Sequence, residues 1–72
     1  MDIQALSETN IEVVKAYASA DMRVSPAARK CNMHDNTVRY HLRVVKKKTG
    51  KDPRRFWQLV AILDALMKAG KM

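Results

Sequence analysis

Little in this chain can hold it together other than a hydrophobic core. Cys31 is the only cysteine among 72 residues, so no internal disulfide can form, and a reducing compartment, by default the cytoplasm, is the expected setting. Two glycines and two prolines in a chain that is 47% hydrophobic exclude a disordered basic tail. With Tyr17, Tyr40, Phe56 and Trp57 as the only aromatic residues, the core has to be aliphatic. The longest unbroken apolar run, residues 59–63, falls far short of the ~20 residues of a membrane span. The start Met1-Asp2-Ile3-Gln4 has neither the basic region nor the apolar stretch of a secretory leader, so no membrane partner is expected. Length itself is scarce: a chain this short buries only about 60% of its unfolded surface. It forms one domain with no room for a deep, enclosed substrate cavity, and an enzyme is not expected.

Acidic residues are few, 7 against 14 Lys and Arg, for a formal charge of +7. The imbalance is local: residues 23–55 hold eleven basic and two acidic side chains, whereas the rest hold three and five. Such a patch suits a polyanion, although acidic proteins attract it as well, and a solvated basic face would look the same.

No alternating β-branched run argues for a strand, and helix punctuation divides the chain into four, so the expected fold is all-α. Thr9-Asn10-Ile11-Glu12 has capping-box spacing and predicts a first helix from Thr9 to about Ala20, with Ile11, Val13, Val14, Tyr17 and Ala18 as its apolar face. Ser25-Pro26 predicts the start of a two-turn helix that ends near Cys31-Asn32. A third helix is expected to open around Asp35-Asn36-Thr37 and to close at Gly50. A fourth is expected from Asp52-Pro53 to about Ala69, with Phe56, Leu59, Val60, Leu63, Leu66 and Met67 facing the core. Residues 1–8 read as a lead-in and 9–70 as the domain.

The second and third segments have the spacing of a helix-turn-helix. Ala28 is the small residue that lets the next helix pack across it, Val38 projects onto it, and Cys31 and Met33 flank the turn as apolar anchors. Asn32 sits where a positive φ is often needed, and it tolerates that conformation. At 100° per residue, Val38, Leu42, Val45 and Thr49 fall on one stripe of the third helix, and Asn36, Tyr40, Arg43 and Lys47 fall opposite. Arg39 and Lys46 flank the polar side. A packed inner stripe beneath an outer stripe of cationic and hydrogen-bonding groups is what a major-groove reader requires.

Beyond this pattern, Ala27-Ala28-Arg29, then His34-Asp35-Asn36-Thr37-Val38-Arg39-Tyr40-His41-Leu42 and Thr49-Gly50, resemble the PucR-type helix-turn-helix domain of bacterial transcription regulators. A more distant resemblance is to the DNA-binding end of the factor for inversion stimulation. Both resemblances imply a four-helix DNA-binding domain whose third helix, about residues 36–48, enters the major groove. They also imply either a small stand-alone protein or the DNA-binding end of a longer regulator. Asp35, His41 and Val44 stand where the family commonly has arginine, and Cys31 where it commonly has leucine, so sequence preference is expected to differ.

The candidate DNA-binding residues are Asn36, Thr37, Arg39, Tyr40, Arg43, Lys46 and Lys47. Asn36 and Thr37 open the third helix, where they cap it, reach phosphate or a base edge, or do both. Arg39 and Arg43 suit phosphate or bidentate guanine contacts. The Tyr40 hydroxyl can donate to phosphate, unless the residue merely packs. Lys46, Lys47 and Lys48, with Lys51, Arg54 and Arg55, are suited to neutralising the DNA backbone. Cys31, His34 and His41 make only three good ligands where a closed zinc site needs four. No metal or cofactor is expected; Cys31 reads as a core residue and His34 as a hydrogen-bonding residue of the turn. Ala61, Ala65 and Ala69 recur every four residues as a candidate homodimer seam. The expected partner is double-stranded DNA, bound sequence-specifically by a cytoplasmic, nucleoid-associated regulator, with a contact to RNA polymerase. The competing readings are a sequence-tolerant architectural protein of the nucleoid and a basic module that docks on an acidic protein.

Overall fold

A reciprocal pair of hydrogen bonds at Ser7, ahead of the expected cap at Thr9, marks where the first helix begins. In the computed structural model, which describes residues 1–71, α1 spans Glu8–Ser19 and its N-cap is Ser7. The capping box is Ser7 with Asn10: Ser7 Oγ accepts from the Asn10 amide at 3.0 Å, and Asn10 Oδ1 accepts from the Ser7 amide at 3.1 Å. The expected start at Thr9 is therefore one residue late, and Thr9 as the cap two residues late. Ahead of the cap, a 3-10 turn at Ile3–Ala5 brings Ile3 and Leu6 into the core, so this segment contributes apolar burial.

α1 ends in a turn that holds both Asp21 and Met22 at positive φ, 58° and 61°. α2, Val24–Cys31, begins one residue before the expected serine cap, with Arg23 as an N-cap that makes no side-chain bond. Pro26 is thus the third helical residue, still within the first turn, where its missing N–H costs nothing. Ser25 is not a cap; its hydroxyl donates to Asp35 Oδ2 on the next helix. Asn32 closes α2 in the left-handed conformation (φ 55°), and across it the Met33 amide donates to Ala28 O at 2.9 Å. Asn32→Ala is therefore expected to lower unfolding free energy by about 1 kcal/mol, the cost of a left-handed alanine, as read from a denaturant midpoint shift at constant m.

α3, Asp35–Thr49, opens within the expected Asp35-Asn36-Thr37 and stops at Gly50 (φ 74°), as expected. Thr49 is buried and closes this end: its Oγ1 donates to Val45 O at 2.8 Å and accepts from the Lys51 amide at 3.1 Å. Asp52-Pro53 does not open α4, Phe56–Lys68, but forms the turn before it. Asp52 Oδ1 accepts from the Arg54 amide at 2.9 Å, and the Asp52 amide donates to Gln58 Oε1 at 2.6 Å. These bonds hold the pair in a turn conformation instead of a helix start.

The four helices make an all-α fold with no strand among the described residues. α1, α2 and α3 each pack on the other two, and α4 lies against the 3-10 turn. Ala27, Ala28, Val38, Leu42 and Val45 fill the junction of the helix-turn-helix, with Val13, Val14 and Tyr17 from α1. α4 turns Leu59, Ile62 and Leu66 inward instead of the whole expected face. Of that face, Phe56, Val60 and Met67 are exposed, as is Trp57 at 77%. Ala65 packs against the core, which takes it out of the alanine seam. No described helix is long and apolar enough to cross a membrane.

Candidate nucleic-acid interface

The buried stripe Val38, Leu42, Val45 and Thr49 pins α3 and so determines which side chains face outward. Asn36, Thr37, Tyr40, Arg43, Lys46 and Lys47 are exposed and Arg39 is half-buried, so all seven candidate residues lie on the accessible side of one helix. They divide by what they touch. Arg39 Nη1 donates to Asn36 Oδ1 at 3.0 Å, which couples these two side chains one turn apart. Exposed Lys46 has its Nζ 3.8 Å from Oδ2 of the partly buried Asp52, a long pairing that engages it weakly. Thr37, Tyr40, Arg43 and Lys47 have no side-chain hydrogen bond or ion pair among the described residues. The Tyr40 ring meets His41 edge to face, with centroids 5.3 Å apart.

Asn36 does not cap α3. The N-cap is His34, which makes no side-chain cap bond, and Asn36 sits inside the first turn with its amide oxygen on Arg39. His34 likewise forms no side-chain hydrogen bond among the described residues, contrary to its expected role in the turn. The first turn carries Asp35, whose carboxylate receives the Ser25 hydroxyl from α2 and braces the angle between the two helices. Cys31 packs partly buried beside the turn, as a core residue should. Burial pushes its thiol pKa up, and the Glu12 carboxylate adds to the rise, so the group stays neutral. Among the described residues no three His, Cys, Asp or Glu side chains gather as metal ligands.

The C-terminal half of α3 supplies most of the positive charge. Lys46, Lys47 and Lys48 fill its last turn, where they also oppose the negative end of the helix dipole. Lys48 is drawn aside, donating to Ala5 O at 2.9 Å. One pairing beside this face escapes the sequence pattern. Asn10, 3% exposed, donates from Nδ2 to Nδ1 of His41 at 2.9 Å and so ties α1 to the outer flank of α3. Reading Ser7-Glu8-Thr9-Asn10 as the capping box identifies Asn10 as the residue whose amide oxygen is engaged at the cap, but nothing in the sequence pairs it with a histidine 31 residues away.

An apolar stripe buried beneath an exposed row of amide, phenol, guanidinium and ammonium groups has the chemistry that base edges and phosphates require. Comparison with curated proteins and with solved structures finds no match. Residues 11–67, from α1 into the last turns of α4, match the model of the PucR C-terminal helix-turn-helix domain. The match spans most of the 72 residues and contains the whole helix-turn-helix together with all seven candidate side chains. The chain therefore belongs to the PucR C-terminal helix-turn-helix family, DNA-binding domains of transcription regulators.

Proposed function

We propose that the chain binds double-stranded DNA sequence-specifically, as a bacterial transcription regulator or its DNA-binding domain, with α3 lying in the major groove. The observation that carries this reading is that Arg43 and Lys47 stand free on the face of α3 opposite its buried stripe. An unengaged guanidinium can donate two N–H groups to O6 and N7 of one guanine, and Arg43 takes that role. Asn36 and Arg39 act as a coupled pair toward base or phosphate, and Thr37 and Tyr40 donate hydroxyls to phosphate. Lys46 and Lys47 neutralise the backbone.

Reading two half-sites one DNA turn apart calls for a second copy. The exposed apolar residues Phe56, Val60 and Met67 support docking through α4, on a different side from the alanines. Sedimentation that stays monomeric at high concentration, with and without paired half-sites, would remove the dimer.

Selection from a random duplex library tests the function. The winning duplex and a scrambled control are then titrated at several salt concentrations. The expected result is a recovered motif, bound far more tightly than the control. Equal binding of both with the same steep salt slope would instead make the chain a sequence-tolerant architectural protein of the nucleoid. No binding at low salt would leave a module that docks on an acidic protein or on RNA polymerase.

A further inference from the structure

His41 lies on the flank of α3 turned toward α1, where its ring is engaged by a buried asparagine of that helix and by the edge of Tyr40. Asn10 is buried and doubly fixed by the capping box, with its own amide donating to Ser7 Oγ and its Oδ1 accepting from the Ser7 amide. Because Oδ1 is engaged as an acceptor, the atom that meets the imidazole is Nδ2, a donor. Nδ1 of His41 must then accept, and the proton of the neutral ring sits on Nε2. Nε2 has no partner among the described residues, and no unpartnered side-chain nitrogen or oxygen there is fully buried, so this N–H is not sealed from solvent. The Tyr40 ring also meets the imidazole edge to face, with centroids 5.3 Å apart.

We propose that His41 is a further DNA contact, whose Nε2–H donates to a phosphate oxygen beside the groove that α3 occupies; the proposal rests on the reading of α3 given above. The flank position argues for phosphate rather than a base. At 100° per residue His41 stands about 100° round the helix from Tyr40, near Thr37 and Lys48, and the flanks of a helix in the groove face the two backbones. On this flank Lys48 is already engaged by Ala5 O, which leaves His41 as the pre-oriented donor. A donor already locked by packing loses little rotamer freedom on binding, so more of its hydrogen-bond energy appears as affinity. Asn10 is then a positioning residue that sets the tautomer and aim of the imidazole without touching DNA.

His41→Phe keeps the ring and its edge contact while removing both nitrogens. It is expected to bind the selected and scrambled duplexes about tenfold more weakly, with an unchanged salt slope, because a neutral donor displaces no cation. His41→Gln, which places an amide donor near the position of Nε2, should recover part of that loss. In the parent protein, nitrogen-15 spectra should show a protonated Nε2 and a bare Nδ1, and exchange of the Nε2 proton should slow when duplex is added. Lys47→Ala is measured alongside. If Lys47→Ala loses affinity and His41→Phe binds like the parent, the His41 contact is overturned and the reading of α3 stands. If the parent binds no duplex, that reading falls and takes the contact with it. A proton on Nδ1, or an Nε2 proton that exchanges equally fast in the complex, overturns the proposal even if His41→Phe fails to fold.

Discussion

Arg43→Ala is expected to weaken binding of the selected duplex by about 1–3 kcal/mol and to relax preference at a single base pair, while Lys47→Ala weakens every duplex alike and lowers the salt slope by about 1. The difference follows from chemistry at matched positions. Both side chains are exposed, on the same face of α3 and one turn apart, and neither has a partner to leave behind. A planar guanidinium can satisfy two acceptors on one guanine, so its loss is felt where that base is; a lysine ammonium acts as a point charge against phosphate and its loss is felt everywhere. Neither change should move the unfolding midpoint beyond about 0.5 kcal/mol, because exposed, unpaired side chains contribute little to folding. Titrations of a set of single-base variants of the site, at two salt concentrations, separate the two signatures. Equal, sequence-blind losses would make both residues backbone contacts and favour architectural binding. Unchanged affinity in both would remove α3 as the reading helix.

α3 was legible because its two faces differ in kind: four apolar or small residues lie on one stripe, while five cations and, apart from Val44, only polar side chains fill the remainder, which leaves one way to bury it. Asn32 and Gly50 were legible for a local reason, since each occupies a left-handed position that few other residues tolerate. α4 resisted because it is apolar on most of its circumference, so periodicity could not choose between the stripe through Phe56 and Met67 and the stripe through Leu59, Ile62 and Leu66. The start of α1 was ambiguous because Ser7 with Asn10 and Thr9 with Glu12 have the same spacing, and only the reciprocal hydrogen bonds of Ser7 and Asn10 select the first. Within the site, helical angles were enough to put all seven candidates on one side. The engagement of each was not legible: Lys46 with Asp52, Lys48 with Ala5 and His41 with Asn10 are tertiary pairings between segments that the sequence leaves independent.

Leu42→Ala tests whether the outward placement of Arg43 and Lys47 depends on burial of the opposite stripe. Leu42 is among the largest fully buried side chains, on the helix that packs against both α1 and α2. Truncating a buried leucine costs about 2–5 kcal/mol, and one core in a domain of this size rarely supplies more than about 3–5 kcal/mol. The variant is therefore expected to be largely unfolded at room temperature, with its helical circular dichroism mostly lost. DNA binds only the folded form, so duplex at about 100 times the dissociation constant should return about 2.7 kcal/mol and with it much of the helix signal. Its apparent affinity should fall by the fraction of chains that are folded, without any change in which base pairs are preferred. Arg43→Ala should do the reverse, keeping the melting curve and losing discrimination. Should Leu42→Ala instead melt within a few degrees of the parent, the inner stripe of α3 would not be the core, and the outward placement of Arg43 and Lys47 would lose its physical basis.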